Sequence, residues 1–273
     1  SAAERDDALL IALSDAPELW RKLFLYRFEK GDFEGHNFGN IFLSALEKVS
    51  ENYNQVLETA SYVLKTKGKV IPVTFDKTNL CAEYENGIIL KGESHIDENH
   101  KETSRIKNAF LEPRASANPY ALQRIEESNL IIIGPGDLYT SIIPILLVDE
   151  MKERIQSSHA KIVYVMNLMT KSGQTSSYTA MDHIKDLEHY LGKKPDHIII
   201  NNGKIPEDII QWYTDHHEKP VVNDLDRFCC NGTIIEKDVV DNATIEKSRA
   251  DVLTRSVLRH DSQKLASIIQ ELI

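Results

Sequence analysis

The apolar positions of the chain alternate between short β-branched runs and longer segments with helical spacing. Four runs predict strands, at residues 131–133, 161–166, 197–200 and 233–240, of which we expect the first to be buried and the last to be bent. Between them lie amphipathic segments such as residues 179–191, whose apolar positions recur every three or four residues. Strands that alternate with helices predict an α/β fold with a mostly parallel sheet and helices on both faces.

A hairpin pattern interrupts this alternation early in the chain. Asn86-Gly87 lies between two apolar runs, and Asn-Gly is favoured in two-residue hairpin turns. We therefore expect a small β-rich insert over about residues 68–112, with a short strand at residues 69–73. Residues 220–222 predict a further strand and residues 256–273 a terminal helix. Because no linker is evident, we expect a single α/β domain over residues 1–273.

The strand at residues 131–133 ends in a glycine-rich turn that leads into Thr140, Ser141 and a second apolar segment. Ligands of α/β proteins lie beyond the carboxyl ends of strands, and the N–H groups that open a helix attract anions. Gly134 and Gly136 would allow a ligand to approach the backbone closely, or a positive φ. The turn predicts a phosphate or nucleotide site, and the alternative is an ordinary strand-to-helix turn with Ser/Thr caps.

A polar loop, residues 167–178, follows the next strand. If the two strands are parallel neighbours, this loop and the glycine turn open on the same edge of the sheet. Such a crevice suits a ligand with phosphates or sugar hydroxyls, whereas the alternative is a solvated loop with Ser/Thr turns. The residues expected to face each other there are Asn167, Thr170, Gln174 and Thr175 on one side and Gly136, Thr140 and Ser141 on the other.

A third polar loop, residues 35–40, precedes a helix. His36 could act as a general acid or base, or contact a phosphate. Alternatively Asn37 or Asn40 caps the helix, and His36 only caps or packs. The chain contains no metal-binding histidine motif, no Gly-x-Ser-x-Gly elbow and no Gly-x-x-x-x-Gly-Lys phosphate loop, so hydrolysis chemistry of those types is not expected.

Composition excludes several classes of protein. The net charge of -10 disfavours nonspecific nucleic-acid binding, which needs a basic surface. Three cysteines, Cys81, Cys229 and Cys230, are too few and too poorly spaced for a zinc site or a disulfide framework, so we expect a reducing, cytoplasmic setting. No apolar run approaches the roughly 20 residues that a membrane span requires.

Several segments occur in the order that is typical of one known family. They are Ala12-Leu13-Ser14-Asp15 with Leu23-Phe24 and Tyr26-Arg27-Phe28, then Gly35-His36-Asn37-Phe38-Gly39-Asn40, then Gly134-Pro135-Gly136-Asp137-Leu138-Tyr139-Thr140-Ser141-Ile142, and finally Asn167-Leu168-Met169-Thr170 through Gly173, Thr175, Tyr178-Thr179-Ala180 and Asp182-His183. Together they resemble the CofD/YvcK-like family, and most closely its YvcK branch, over about residues 8–220.

The resemblance implies a three-layer α/β/α domain of Rossmann type that binds its ligand at the carboxyl edge of the sheet. The glycine turn would serve the nucleotide or phosphate, the loop at residues 167–178 would line the opposite wall, and the loop at residues 35–40 would close the site. The expected ligand-binding residues are therefore Gly134, Gly136, Asp137, Tyr139, Thr140, Ser141, Asn167, Thr170, Gln174, Thr175, His36, Asn37 and Asn40.

The two branches of the family imply different functions. The YvcK branch is associated with UDP-sugar binding, cell-wall morphogenesis and growth on gluconeogenic carbon sources, without a settled catalytic activity, and a homodimer is expected from it. The other branch transfers a phospholactyl group from a nucleotide-activated donor to a deazaflavin in coenzyme F420 synthesis, with a divalent metal. A bare scaffold that acts through protein contacts is a third hypothesis.

The chain departs from the family pattern in two places. The family opens with a strand and a Gly-Gly-Gly-Thr-Gly loop, followed by an Asp-Asp-Gly-Gly-Ser-like segment, and this chain has neither. We therefore expect the natural chain to extend further at its N-terminus. The acidic residue that is usual in the polar loop is replaced by Gln174, which removes a charge and a metal ligand or base. This replacement favours the UDP-sugar regulator, with no cofactor, over metal-assisted transfer.

Overall fold

The computed structural model describes residues 9–99, 104–227, 229–241 and 257–272, and these residues form two compact units. The first unit contains residues 9–72 and the second contains the remaining described residues. The single domain expected over residues 1–273 stays a prediction.

The first unit contains helices that pack on a small apolar core. They are α1 (Glu18–Leu25), α2 (Phe38–Val49) and α3 (Tyr53–Leu64). The Phe24 ring is fully buried and meets the rings of Phe38 and Phe42 edge-on, at centroid distances of 5.6 and 5.0 Å. The Asn37 side chain accepts a hydrogen bond from the Asn40 backbone N–H at 2.6 Å, so Asn37 caps α2.

The second unit begins with the expected β-rich insert, and the structure confirms it. Strands β1 (Asn79–Tyr84), β2 (Ile89–Lys91) and β3 (Ile106–Glu112) form an antiparallel sheet in the order β2-β1-β3. The hairpin between β1 and β2 turns at Asn86-Gly87, where Gly87 has a φ of 86°. The strand expected at residues 69–73 is wrong. Pro72 has no N–H to donate to a sheet, and the carbonyl of Val73 accepts from the Asn118 N–H instead.

A parallel four-stranded sheet forms the centre of the second unit. Its strands are β4 (Leu130–Ile133), β5 (Lys161–Val165), β6 (His197–Asn201) and β7 (Thr233–Lys237), in sequential order. The described helices of this unit are α4 (Glu93–Asp97), α5 (Pro119–Glu126), α6 (Ile143–Leu146), α7 (Met151–Ser157), α8 (Ala180–Leu191), α9 (Glu207–Asp215) and α10 (Ser262–Gln270).

The inner strands β5 and β6 are buried on both faces, whereas the strand at residues 131–133, expected to be buried, is only partly so because β4 lies at an edge of the sheet, as does β7. Ile162 and Tyr164 of β5 point into one core, where α6, α7 and α8 pack, and Val163 and Val165 point into another, where α9 and α10 pack. Successive side chains of a strand face opposite ways, so a strand buried on both faces must be apolar throughout. The expected three-layer α/β/α architecture is therefore confirmed.

Two expectations for this unit need correction, and both differences shape the site. Residues 220–222 are not a strand of the sheet, and the expected terminal helix is confirmed at Ser262–Gln270 but does not include residues 257–261. Pro220 forms an isolated antiparallel bridge with Met169, and the Val221 N–H donates to the Leu168 carbonyl at 3.0 Å, so residues 220–222 bond to a loop and not to the sheet. Residues 257–261 are not helical, because Asp261 caps α10 and its N–H bonds to the Val239 carbonyl at 2.8 Å. No helix of the described residues is long and apolar enough to cross a membrane.

Candidate functional site

The glycine turn connects β4 to a single π-helical turn (Leu138–Ile142) that continues into α6. The Asp137 carbonyl accepts hydrogen bonds from the N–H groups of Ser141, at 2.8 Å, and Ile142, at 3.2 Å. Neither Gly134 nor Gly136 has a positive φ. A Cβ on Gly136 would lie 3.2 Å from the Ser141 Cβ, whereas a Cβ on Gly134 would meet nothing within 4 Å. A side chain at Gly136 would therefore press on Ser141, which would have to give by a few tenths of an ångström, whereas Gly134 has no such contact.

The polar loop at residues 167–178 meets the glycine turn directly. The Asn167 Nδ2 donates to the Gly136 carbonyl at 2.7 Å, and the Tyr164 hydroxyl donates to the Asn167 Oδ1 at 3.4 Å. Because β4 and β5 are parallel neighbours, both loops leave the same edge of the sheet. The sequence-based expectation that these two loops face each other is confirmed.

The two predicted threonines of this loop hold the loop itself in shape. The Thr170 N–H donates to the Lys219 carbonyl at 2.8 Å, and the Thr170 Oγ1 accepts from the Lys219 N–H at 3.0 Å. The Thr175 Oγ1 accepts from the Lys171 N–H at 2.8 Å. Both side chains are buried. Their hydroxyl acceptors thus fix the wall of the site, a role that Ser/Thr turns often have.

Gln174 and Thr140 meet at a carboxylate that the sequence analysis did not identify. The Asp97 Oδ1 accepts from the Gln174 Nε2 at 2.6 Å and from the Thr140 Oγ1 at 2.8 Å. The Gln174 Oε1 is buried and has no hydrogen-bond partner among the described residues. An acidic residue at position 174 would face the Asp97 carboxylate, so the amide suits this position.

Tyr139 points away from the crevice. Its hydroxyl donates to the Asp186 Oδ2 at 2.6 Å, and the Tyr178 hydroxyl donates to the same oxygen at 2.6 Å. Burial, with smaller contributions from the neighbouring tyrosine and from Asp186, raises the pKa of Tyr139. The Tyr139 phenol therefore stays protonated and ties the π-helical turn to α8.

A cavity of about 360 Å³ opens where the two loops meet. Of the predicted residues, Gly136, Asp137, Asn167 and Thr170 line it, and the others of these two loops lie outside its lining. The charged and ionisable residues around it, mostly missed by the sequence analysis, are Asp137, Lys171, Glu218, Arg259 and His260. A cavity of this size with a few convergent polar groups is typical of a small-molecule site.

Side chains of opposite charge lie close together around this cavity. The Lys171 Nζ lies 3.6 Å from the Glu218 Oε1. Burial raises the pKa of Asp137, Lys171 opposes that shift, and Asp97 and Glu218 add to it. Arg259 is exposed and forms no salt bridge within the described part of the chain. The Lys171 ammonium and the Arg259 guanidinium are therefore the groups that suit a bound phosphate.

His260 reaches this cavity from the segment that was expected to be helical. Its Nε2–H donates to the Met166 carbonyl at 3.1 Å, at the end of β5. Burial lowers the pKa of His260, although the hydrogen bond to Met166 opposes the shift. The ring is therefore neutral near pH 7, and it anchors the segment that carries Arg259.

Comparison with known proteins identifies the family. Residues 7–241 match the family described as 2-phospho-L-lactate transferase CofD. A gluconeogenesis factor of Bacillus subtilis is 37% identical over 270 residues, which are 97% of this chain and 80% of that protein. The chain belongs to the CofD family, in the gluconeogenesis factor (YvcK-like) branch. The resemblance stated from the sequence motifs is thus confirmed.

Further relatives and a solved structure agree with this assignment to the CofD family. A putative gluconeogenesis factor of Thermoanaerobacterium thermosulfurigenes is 40% identical over 268 residues, covering 97% of this chain and 79% of that protein. A crystal structure of a UPF0052 family member from Bacillus halodurans has a TM-score of 0.85 and 32% identity, and covers 97% of this chain and 82% of that one. The Rossmann-like fold expected of the family is therefore confirmed.

The family motif at residues 35–40 lies in the first compact unit. Asn37 caps α2, as the capping alternative expected, and His36 is exposed in the turn before it, where its N–H donates to the Phe33 carbonyl at 3.0 Å. The cavity lies in the second unit. Roles of His36, Asn37 and Asn40 in closing a CofD-type site therefore stay predictions.

Side chains that could bind a metal ion do not cluster among the residues that the structure describes. No cluster of three or more His, Cys, Asp or Glu side chains within it could hold a metal ion. The Asp97 carboxylate accepts hydrogen bonds from Gln174 of the polar loop and from Thr140. The divalent metal of the transferase hypothesis stays untested.

We expect the buried His183 to make stability depend on pH. Its Nδ1–H donates to the Thr179 carbonyl at 2.8 Å, while its buried Nε2 has no partner among the described residues. Burial lowers the pKa of His183 below 6.5, against smaller opposing effects of the Thr179 hydrogen bond, Asp186 and Asp182. The unfolded chain then binds the proton more readily, so stability present above about pH 6.5 is lost as the pH falls below it.

The measurement is the melting temperature between pH 7.5 and pH 5.5. His183→Gln should flatten the decline with falling pH, whose slope reaches at most about 1.4 kcal/mol per pH unit for one proton. The exposed His159 offers a control, and His159→Gln should keep the wild-type slope. An unchanged slope in His183→Gln would contradict this assignment.

Proposed function

We propose that this protein binds a nucleotide sugar, of the UDP-sugar class, at the carboxyl edge of its parallel sheet, and acts as a regulator of the gluconeogenesis factor type. The observation that carries the proposal is the cavity beside Gly136, which places Lys171 and Arg259 next to the glycine turn. Relatives at 34–40% identity are named gluconeogenesis factors or putative ones, which supports a link to growth on gluconeogenic carbon sources. A link to cell-wall morphogenesis belongs to the same proposal.

The cavity suits a phosphate ester for electrostatic reasons. The two cations and the glycine turn line the same cavity, and at Gly136 the turn packs closely against Ser141. Charge-assisted hydrogen bonds from Arg and Lys to phosphate oxygens are about twice as strong as neutral ones. The Asn167 amide, held on the Gly136 carbonyl, keeps the two walls at a fixed separation.

A transferase activity is the second candidate, and one observation favours it. Asp137 lies in the cavity wall with a pKa raised mainly by burial, and a carboxyl with a raised pKa suits general acid or base chemistry. The family description names a 2-phospho-L-lactate transferase. In this alternative the protein would transfer a phospholactyl group from a nucleotide-activated donor to a deazaflavin, with a divalent metal.

A thermal-shift titration of the full-length protein distinguishes the two candidates. We expect UDP-sugars to raise the melting temperature saturably, because a ligand at 100 times its Kd adds about 2.7 kcal/mol to the stability of the folded state. Stabilisation by GDP with a divalent metal, and not by UDP-sugars, would favour the transferase. Stabilisation by none of these ligands would contradict both candidates and favour a scaffold that acts through protein contacts.

Arg259→Gln should weaken the binding of UDP-sugars about tenfold or more, since it removes a cation from the phosphate site. The unliganded protein should melt at the wild-type temperature, because Arg259 is exposed and unpaired within the described residues. Arg124→Gln is the control, as Arg124 is exposed on α5 and outside the cavity, with its ion pair to the exposed Glu127 at the end of the same helix. Equal affinities of the two variants for UDP-sugars would argue against the phosphate site.

A further inference from the structure

A second cavity, of about 420 Å³, adjoins the first along the carboxyl edge of the sheet. It lies beyond β6, and the loop of residues 201–205 forms much of its wall. Asn167 and Leu168 line both cavities, so the two spaces are separated by the start of a single loop. A ligand longer than the first cavity would reach the second by passing Asn167 and Leu168.

The boundary between the cavities is held in place from both sides. The Asn167 amide is bonded to the Gly136 carbonyl, and the Leu168 carbonyl accepts from the Val221 N–H at 3.0 Å. Val221 and Pro220 also line the second cavity. The second space is thus bounded by backbone that is fixed by hydrogen bonds.

The loop beyond β6 is equally well defined. The Asn201 Oδ1 accepts from the N–H groups of Gly203, at 3.0 Å, and Val239, at 3.2 Å. A Cβ on Gly203 would overlap the carboxylate of Asp238, so a side chain there would displace that carboxylate. The loop therefore presents its polar side chains from a fixed backbone.

The chemistry of the second cavity differs from that of the first. The first brings Lys171 and Arg259 to the glycine turn, whereas the second offers the Glu207 carboxylate, the Asn202 amide and the Lys204 ammonium beside apolar side chains such as Ile205. A carboxylate accepts hydrogen bonds, and an amide both donates and accepts them. Hydroxyl groups on a compact ring with an apolar C–H face match this combination of hydrogen-bond donors and acceptors beside apolar side chains.

We propose that the second cavity binds the hexosyl group of a nucleotide sugar whose diphosphate lies in the first cavity. This inference rests on the proposed function, because it divides one ligand between the two spaces. Glu207 is then the residue that distinguishes a nucleotide sugar from the free nucleotide. The Glu207 carboxylate accepts hydrogen bonds from the sugar hydroxyls, and Asn202 bonds to others.

The test is a calorimetric titration of the full-length protein with UDP and with a panel of UDP-hexoses. The wild type should bind at least one UDP-hexose more tightly than UDP. Glu207→Gln should weaken the binding of that UDP-hexose about tenfold, the effect of losing one charged hydrogen bond, while the affinity for UDP stays unchanged.

Asp208→Asn is the matched control for Glu207→Gln. Asp208 is the next residue, also exposed and in the first turn of α9, but it does not line the cavity. Both substitutions remove one negative charge from the same helix end, so any general effect on α9 is shared. The control should bind UDP and the UDP-hexose as the wild type does.

The outcomes separate failure of this inference from failure of the proposed function. If Glu207→Gln weakens UDP as much as the UDP-hexose, the second cavity binds the nucleoside, and the inference is overturned while the proposed function stands. If the variant binds every UDP-hexose with wild-type affinity, the sugar does not reach Glu207 and the inference is also overturned. If the wild type binds neither UDP nor any UDP-hexose, both fail together.

Discussion

Gly136→Val is expected to abolish the stabilisation of the protein by UDP-sugars. A Cβ at this position already lies 3.2 Å from the Ser141 Cβ, and the two γ-methyl groups of valine need further space. The turn must shift, and the Gly136 carbonyl that holds the Asn167 amide must shift with it. Overpacking of this kind also costs about 1–3 kcal/mol of stability, so the unliganded melting temperature should fall as well.

Gly134→Val is the matched control for this substitution. It lies two residues away in the same turn, and its added Cβ would meet nothing within 4 Å. It should keep the melting temperature and the response to UDP-sugars close to those of the wild type. The comparison is made by thermal-shift titration of both variants. A saturable wild-type shift in Gly136→Val would show that the tight turn is not part of the binding site.

Gly173→Ala is expected to lower the free energy of unfolding by about 3 kcal/mol or more. Gly173 has a φ of 77°, and a Cβ there would overlap the backbone carbonyl of Asn99. The Gly173 carbonyl also accepts from the buried Tyr84 hydroxyl at 2.9 Å. Neither partner is a flexible side-chain tip, so the polar loop itself would have to move.

Gly87→Ala separates the two contributions to this effect. Gly87 has a φ of 86°, similar to that of Gly173, but its added Cβ would meet nothing within 4 Å. It should therefore cost only the left-handed conformation, about 1–2 kcal/mol. Urea unfolding curves of the two variants provide the comparison. Equal losses would mean that the Asn99 contact does not restrict the loop.

The layered fold was predictable because its signals are local. Runs such as residues 162–166 have no charged position, which is what a strand buried on both faces requires. Asn86-Gly87 marks the hairpin between β1 and β2, because glycine readily adopts the positive φ that Gly87 has in this turn. Thr179 and Asp182 form the capping box that begins α8, again from residues three positions apart.

The meeting of the glycine turn with Asn167 was predictable for a different reason. Parallel neighbouring strands bring their carboxyl ends to one edge, so strand order alone places the two loops together. Which side chains enter the crevice was not predictable in this way. Tyr139 follows Asp137 by two positions, yet the π-helical turn directs its hydroxyl to Asp186 and not to the cavity.

The residues that the sequence analysis missed come from distant parts of the chain. Asp97 is 77 residues from Gln174, and His260 is 94 residues from Met166, whose carbonyl it binds. Pro220 looked like part of a strand because an apolar run follows it, but it pairs with Met169 in the loop. Such contacts depend on tertiary packing, and no local spacing of residue types indicates them.

The hydrogen bonding of the polar loop has a consequence for the thermodynamics of ligand binding. Six successive N–H groups of this loop have acceptors, those of Thr170, Lys171, Ser172, Gly173, Gln174 and Thr175. A surface loop usually loses conformational entropy when a ligand orders it, and that loss weakens affinity. Here folding has already ordered the wall, so a ligand meets a preorganised surface. Its affinity then reflects mainly the contacts that it makes and the water that it displaces.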